Sequence, residues 1–194
     1  ARHLYLQDDF SSSGAFTLTA DTDDSHVGSV IISAGKAVTT SNDNITIDAW
    51  DLDLSGTINS GSGTVFLKSS DAGEFGLGTT AKDFSVDGTE LTQITAGRLT
   101  VGDSSSGDIY VGTVTEAHSN NIGTVDLQAT QVGKKVTFQT SASTFNALNA
   151  EAADGVFVEH NITADVGSIT LDGDSNDTAD VNDKIQINSG LTLL

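Results

Sequence analysis

Gly63-Thr64-Val65-Phe66-Leu67 and Gly123-Thr124-Val125-Asp126-Leu127 share one phrase: a glycine, a small polar residue, then Val, and another apolar residue two positions on. The phrase recurs as Gly28-Ser29-Val30-Ile31-Ile32, Gly107-Asp108-Ile109-Tyr110-Val111 and Gly167-Ser168-Ile169-Thr170-Leu171. Successive side chains of a strand point to opposite faces, so an apolar pair two residues apart buries one face of a short strand. Outward from these phrases the same character continues in Leu4-Tyr5-Leu6, Phe16-Thr17-Leu18-Thr19, Ile45-Thr46-Ile47, Leu52-Asp53-Leu54, Leu99-Thr100-Val101, Val136-Thr137-Phe138, Val156-Phe157-Val158 and Ile185-Gln186-Ile187. Each run is bounded by Gly, Asn, Asp or Ser, which predicts an all-β chain of short strands and turns. The phrase spacing is irregular, so the repetition is degenerate.

Two architectures suit such a chain: a parallel β-helix (β-solenoid) with Gly/Asp-rich turns, and an antiparallel β-sandwich. Strands shorter than the usual five or six residues, the lack of Asn-Gly or Pro-Gly hairpin turns and the repeated phrase favour the β-helix. At roughly 20–25 residues per coil the chain would make about eight or nine coils, a rod of about 40 Å. Residues 1–194 read as one solenoid block. Only Thr144 to Asp154, with Phe145, Leu148 and Ala152 near helical spacing, suggests a helix, and Asn146, Asn149 and Gly155 weaken it.

The 27 acidic residues against 8 basic ones leave a net charge of −19. That argues against nucleic acid and anionic lipid as partners, because phosphate binding rests on clustered Lys and Arg. The acids are 22 Asp and 5 Glu, and Asp prefers turns to helices. There is no Cys, and therefore no disulfide, thiolate nucleophile or Cys-based metal site. No apolar run reaches the roughly 18 residues of a transmembrane helix, so membrane insertion is not expected. With Pro and Met also absent, the initiating Met included, the chain reads as a processed product or a segment of something longer.

Phrases such as Ile94-Thr95-Ala96-Gly97-Arg98-Leu99-Thr100-Val101-Gly102, residues 56–65 and Asn161-Ile162-Thr163-Ala164-Asp165-Val166-Gly167-Ser168-Ile169-Thr170-Leu171 resemble the repeats of filamentous-haemagglutinin-type adhesins and related giant acidic bacterial surface proteins. The resemblance implies a right-handed parallel β-helix, part of a long secreted fibre with no enzymatic activity in its shaft.

The densest acidic stretch is residues 172–183, where Asp172, Asp174, Asn176, Asp180 and Asp183 stand at positions 1, 3, 5, 9 and 12. That is the order in which an EF-hand-type loop offers oxygen ligands to Ca²⁺, although Asp177 replaces the turn Gly and Asp183 the bidentate Glu. Asp21-Thr22-Asp23-Asp24-Ser25 is a weaker calcium candidate. Asp48, Asp51 and Asp53 surround Trp50, an arrangement suited to sugar or, more simply, to a strand with one wet face. His3, His26, His118 and His160 lack zinc-site spacing, and neither a Gly-x-Ser-x-Gly elbow nor a phosphate loop occurs. Asn44, Asn161 and Asn176 open glycosylation triplets.

These readings predict a non-catalytic, extracellular or cell-surface component of a fibre or filament. It would associate end to end or continue into a longer chain, and could adhere to glycans or host surfaces. A carbohydrate- or ice-binding β-helix module is the alternative, and a β-helix polysaccharide lyase a more distant one.

Overall fold

The computed structural model describes residues 2–179 and 181–194. They form an all-β protein of 21 strands, β1 to β21 in chain order, with two short helices, α1 (Gly88–Thr92) and α2 (Glu116–Ser119). One sheet holds β1 (Leu4–Leu6), β4 (Ser29–Ile32) and β7 (Asp51–Leu54). A second runs β11 (Phe84–Val86), β10 (Phe75–Leu77), β13 (Ile109–Val111), β15 (Val136–Phe138), β18 (Val156–Val158), β21 (Ile185–Ile187). The largest sheet joins β2 (Phe10–Ser12), β5 (Ala37–Thr40) and β8 (Thr57–Asn59) to β12 (Ile94–Asp103), β14 (Ile122–Ala129), β17 (Leu148–Ala152) and β20 (Ile169–Asp172). To β12 it also adds β9 (Thr64–Ser69), β6 (Ile45–Ala49) and β3 (Phe16–Thr19); a fourth sheet pairs β16 (Ser143–Phe145) with β19 (Ile162–Ala164).

All these strand pairs are parallel, which sets aside the antiparallel sandwich. A parallel neighbour needs a long return path. Register partners accordingly lie far apart in sequence, as in Ile45↔Val65 and Leu67↔Val101, and each return of the chain adds a strand beside the previous one. The exception is β10 beside β11, where Phe75 meets Phe84 and the chain steps back before going on to β13.

The longest uninterrupted stack has seven rungs: β3, β6, β9, β12, β14, β17 and β20. Six spacings of about 4.8 Å make it about 29 Å long, shorter than the sequence predicts. The reason is that some returns are lengthened by α1, α2 and the β10–β11 detour. Inward side chains form continuous columns along this stack. Phe16, Ile45, Val65, Leu99, Val125, Leu148 and Ile169 stand in one register, and Leu18, Ile47, Leu67, Val101, Leu127, Ala150 and Leu171 in another. Every inner member of both columns is buried, while the first and last rungs are only half-covered.

The phrase glycines mark corners where one circuit lies against another. A Cβ added at Gly63, Gly107, Gly123 or Gly167 would come within 2.5–2.7 Å of the neighbouring circuit, and one at Gly28 would come as close to Asp21 in its own loop. Residues 144–154 form no helix. Phe145 closes β16 and Leu148 opens β17, and both point inward across the corner at Asn146 and Ala147. The Asn146 amide donates to the carbonyls of Asn120 and Ile122, satisfying the corner that a helix would otherwise have closed.

Candidate functional site

The acidic turn that follows β20 is the first candidate. Asp180 lies outside the described residues. Within the turn the Asp172 carboxylate accepts the Asp174 N–H, and the Asn176 side-chain oxygen accepts the Thr178 N–H, both local Asx turns. Desolvation, and then the charges of Asp183 and Asp177, push the Asp174 carboxyl above the usual carboxylate range. Among the described residues no three His, Asp or Glu side chains come together as a metal-holding group. The turn therefore crowds its acids without gathering the described ones into a coordination sphere.

The weaker sequence candidate, residues 21–25, has a different role. Asp21 is 1% exposed, and its carboxylate accepts Ser25 N–H, Ser25 hydroxyl, His26 N–H and Ser70 hydroxyl donors. Burial pushes this acid up, but the donors outweigh it and hold the pKa at about 2. With its lone pairs taken from within the protein, Asp21 fastens the loop before β4 to the turn at Ser70. Asp21, Asp24 and His26 have positive φ, as do Asp71 and Ala72 opposite, so the clasp is strained on both sides. His26 Nε2 meets the Asp71 carboxylate, and its ring lies 4.6 Å from that of Trp50. The two rings are tilted at 51° to one another. Asp51 and Asp53 do point away from the buried Leu52 and Leu54, as the alternation predicts, and Asp51 accepts the Ser85 N–H.

Sequence reasoning missed Glu90. Asp87-x-x-Glu90 is a capping box at the start of α1, and this spacing was the available signal. Glu90 also accepts the Leu54 N–H, tying α1 to β7 beside a cleft of about 400 Å³. Burial, opposed by these two N–H donors and reinforced by Asp87 and Asp51, pushes its carboxyl up to about 7. Each of its carboxylate oxygens accepts one backbone N–H, from Leu54 and from Asp87.

The three asparagines of the glycosylation triplets are likewise engaged: Asn44 accepts Thr64 N–H, Asn161 accepts Thr192 N–H, and Asn176 caps its own turn. His3 and His118 accept backbone N–H groups of Ser29 and Thr115. Among the described residues both end faces are open. At one lie β1, β2 and β3; at the other lie β20 and β21, with Ile185 and Ile187 45% and 46% exposed. A groove of about 290 Å³ lined by Ile169, Leu171, Leu193 and Leu194 opens on the second face. No protein-family model, curated protein or solved structure matches the chain.

Proposed function

We propose that the chain is a block of parallel β-helix that serves as a non-catalytic structural and adhesive part of an extracellular or cell-surface fibre. One observation carries this reading: apolar columns run through seven parallel rungs and emerge half-covered at both faces. An outer parallel strand leaves a row of backbone N–H and C=O groups open to a further strand. The faces bearing β1 to β3 and β20 to β21 are thus surfaces onto which more coils stack, either of the same polypeptide or of a second copy end to end. The adhesin-like phrasing of residues 56–65, 94–102 and 161–171 supports the same assignment.

A Ca²⁺ ion at the 172–183 turn belongs to this proposal as a stabiliser. It would relieve the repulsion around Asp174, and millimolar affinity suits an extracellular setting. Electron microscopy of the native material is the test. Fibres or elongated rods built from this block support the reading; compact monomers at every concentration overturn it.

A further inference from the structure

The outward face of the second sheet carries a feature that the end faces do not explain. In register across it stand Gly76, Tyr110, Thr137, Phe157 and Gln186, one residue per rung. Tyr110 and Phe157 are two rungs apart, about 9.6 Å at the usual strand spacing. Thr137, only 7% exposed, forms the floor between them. The resulting slot, of about 240 Å³, is completed by Lys135, Gln139 and Glu159.

Each ring has a cationic neighbour outside the slot. The Tyr110 hydroxyl donates to Asp108, and the Lys82 ammonium, itself bonded to Glu74, sits 3.7 Å from the Tyr110 ring centre. The Lys184 ammonium lies 5.6 Å from the Phe157 ring centre. Lys82 comes from the β10–β11 side and Lys184 from the β21 side, so each lysine approaches from a rung outside the pair, and neither lines the slot. The Phe157 ring also leans over Gly155, where a Cβ would be 2.9 Å from its edge.

The polar groups at the rims are arranged differently. Lys135 precedes β15 and Glu159 follows β18, so they stand on opposite sides of the aromatic row. In a chain with 27 acids, the Lys135 ammonium and the Glu159 carboxylate make no side-chain hydrogen bond or ion pair among the described residues. The Gln139 amide gives one hydrogen to Thr80 at 3.4 Å, and among the described residues its oxygen accepts no hydrogen bond. A donor on one side, acceptors on the other and two apolar walls are the complement of a flat group rimmed with hydroxyls. Stacking on both walls at about 3.5–4.0 Å each uses about 7–8 Å of the two-rung separation, which admits one such group.

We propose that this slot binds a pyranose unit of an uncharged glycan, stacked between Tyr110 and Phe157, with its hydroxyls bonded to Lys135, Gln139 and Glu159. The net charge of −19 repels a polyanion, which is why the neutral class is chosen. The site needs only β13, β15 and β18 and is independent of whether the ends polymerise.

The test is a proton–nitrogen NMR titration of the protein with neutral hexaoses of the cello, xylo, manno, malto and chito series, with polygalacturonate as the charged comparison. At least one neutral hexaose is expected to shift the amides of Lys135, Thr137, Gln139 and Phe157. Phe157→Ala, an outward position whose circular dichroism should stay native, is expected to weaken that binding about tenfold, as the loss of a stacking wall implies. Lys135→Ala is expected to weaken it as well, while Lys36→Ala, elsewhere on the surface, leaves it unchanged. The proposal is overturned if no neutral hexaose shifts these amides at about 10 mM, a concentration that detects even weak sites. It is equally overturned if only polygalacturonate binds, or if folded Phe157→Ala binds as wild type does.

Discussion

Replacing Gly123 by Ala should destabilise the protein, although the same change elsewhere in it should not. Gly→Ala at a compatible backbone position ordinarily stabilises by about 0.4–1 kcal/mol, because it restricts the unfolded chain. Gly14 offers that case: nothing lies within 4 Å of its added Cβ. At Gly123 the Cβ would stand 2.5 Å from the Gly97 carbonyl oxygen and 3.4 Å from its carbon. An ordinary carbon–oxygen contact needs about 3.3 Å, so the neighbouring circuits must separate by most of an ångström. Both sides are backbone. Gly97 N–H is bonded to Gly63 O at 3.0 Å, and Ala96 N–H to Asn121 O at 3.1 Å, so the movement stretches hydrogen bonds rather than turning a side chain. Overpacking costs about 1–3 kcal/mol and a weakened hydrogen bond about 1 more, which outweighs the gain from restricting the unfolded chain and leaves a net loss of about 1–3 kcal/mol. Urea unfolding followed by far-ultraviolet circular dichroism measures both variants against wild type. A Gly123→Ala protein as stable as wild type, or a Gly14→Ala protein equally damaged, refutes the close-stacked corner.

Leu127→Ala should cost about 2–5 kcal/mol in the same assay, since Leu127 is fully buried between Val101 and Ala150 in adjacent rungs; a loss below about 0.5 kcal/mol would show that the column is not packed there. Glu90 is held at about 7 against an ordinary 4.5, so the native state binds more protons between these values and its stability falls as pH rises through that window. The difference between about pH 5 and about pH 8 is at most about 3 kcal/mol from this group, and Glu90→Ala should flatten that part of the profile, whereas an unchanged slope assigns it to other acids. Melting in about 2 mM Ca²⁺ should exceed melting in chelator at matched ionic strength, with the increment reduced by Asp174→Ala; identical melting temperatures make the 172–183 turn a solvated acidic loop.

Many strand positions were legible because an apolar-x-apolar pattern marks a buried face, although β10, β11 and β17, buried as well, were not read as strands. Leu4–Leu6, Ile109–Val111 and Ile185–Ile187 coincide with β1, β13 and β21. The glycine phrase was visible too, but not its cause, which is contact between residues far apart in sequence, such as Gly123 against Gly97. Spacing misled at Phe145 and Leu148, where an inward pair across a corner imitates a helical face. The backward step from β10 to β11 left no local mark, since both strands read alike and only their neighbours differ. The aromatic slot was hidden for the same reason: Tyr110 and Phe157 are 47 residues apart in sequence and meet only through the register of β13, β15 and β18.

The chain has no cysteine, so introduced pairs can report the stacking register directly. Asn149 and Thr170 are register partners on β17 and β20, and Thr17 and Thr46 on β3 and β6, at a spacing a disulfide can bridge. Asn149→Cys with Thr170→Cys, and Thr17→Cys with Thr46→Cys, should each form an intramolecular disulfide rapidly under mild oxidation. Gln128→Cys with Thr170→Cys, which is out of register and two strands away, should not. Parallel stacking of successive circuits predicts that pattern; failure of both partnered pairs, or equal crosslinking of the unpartnered one, contradicts it.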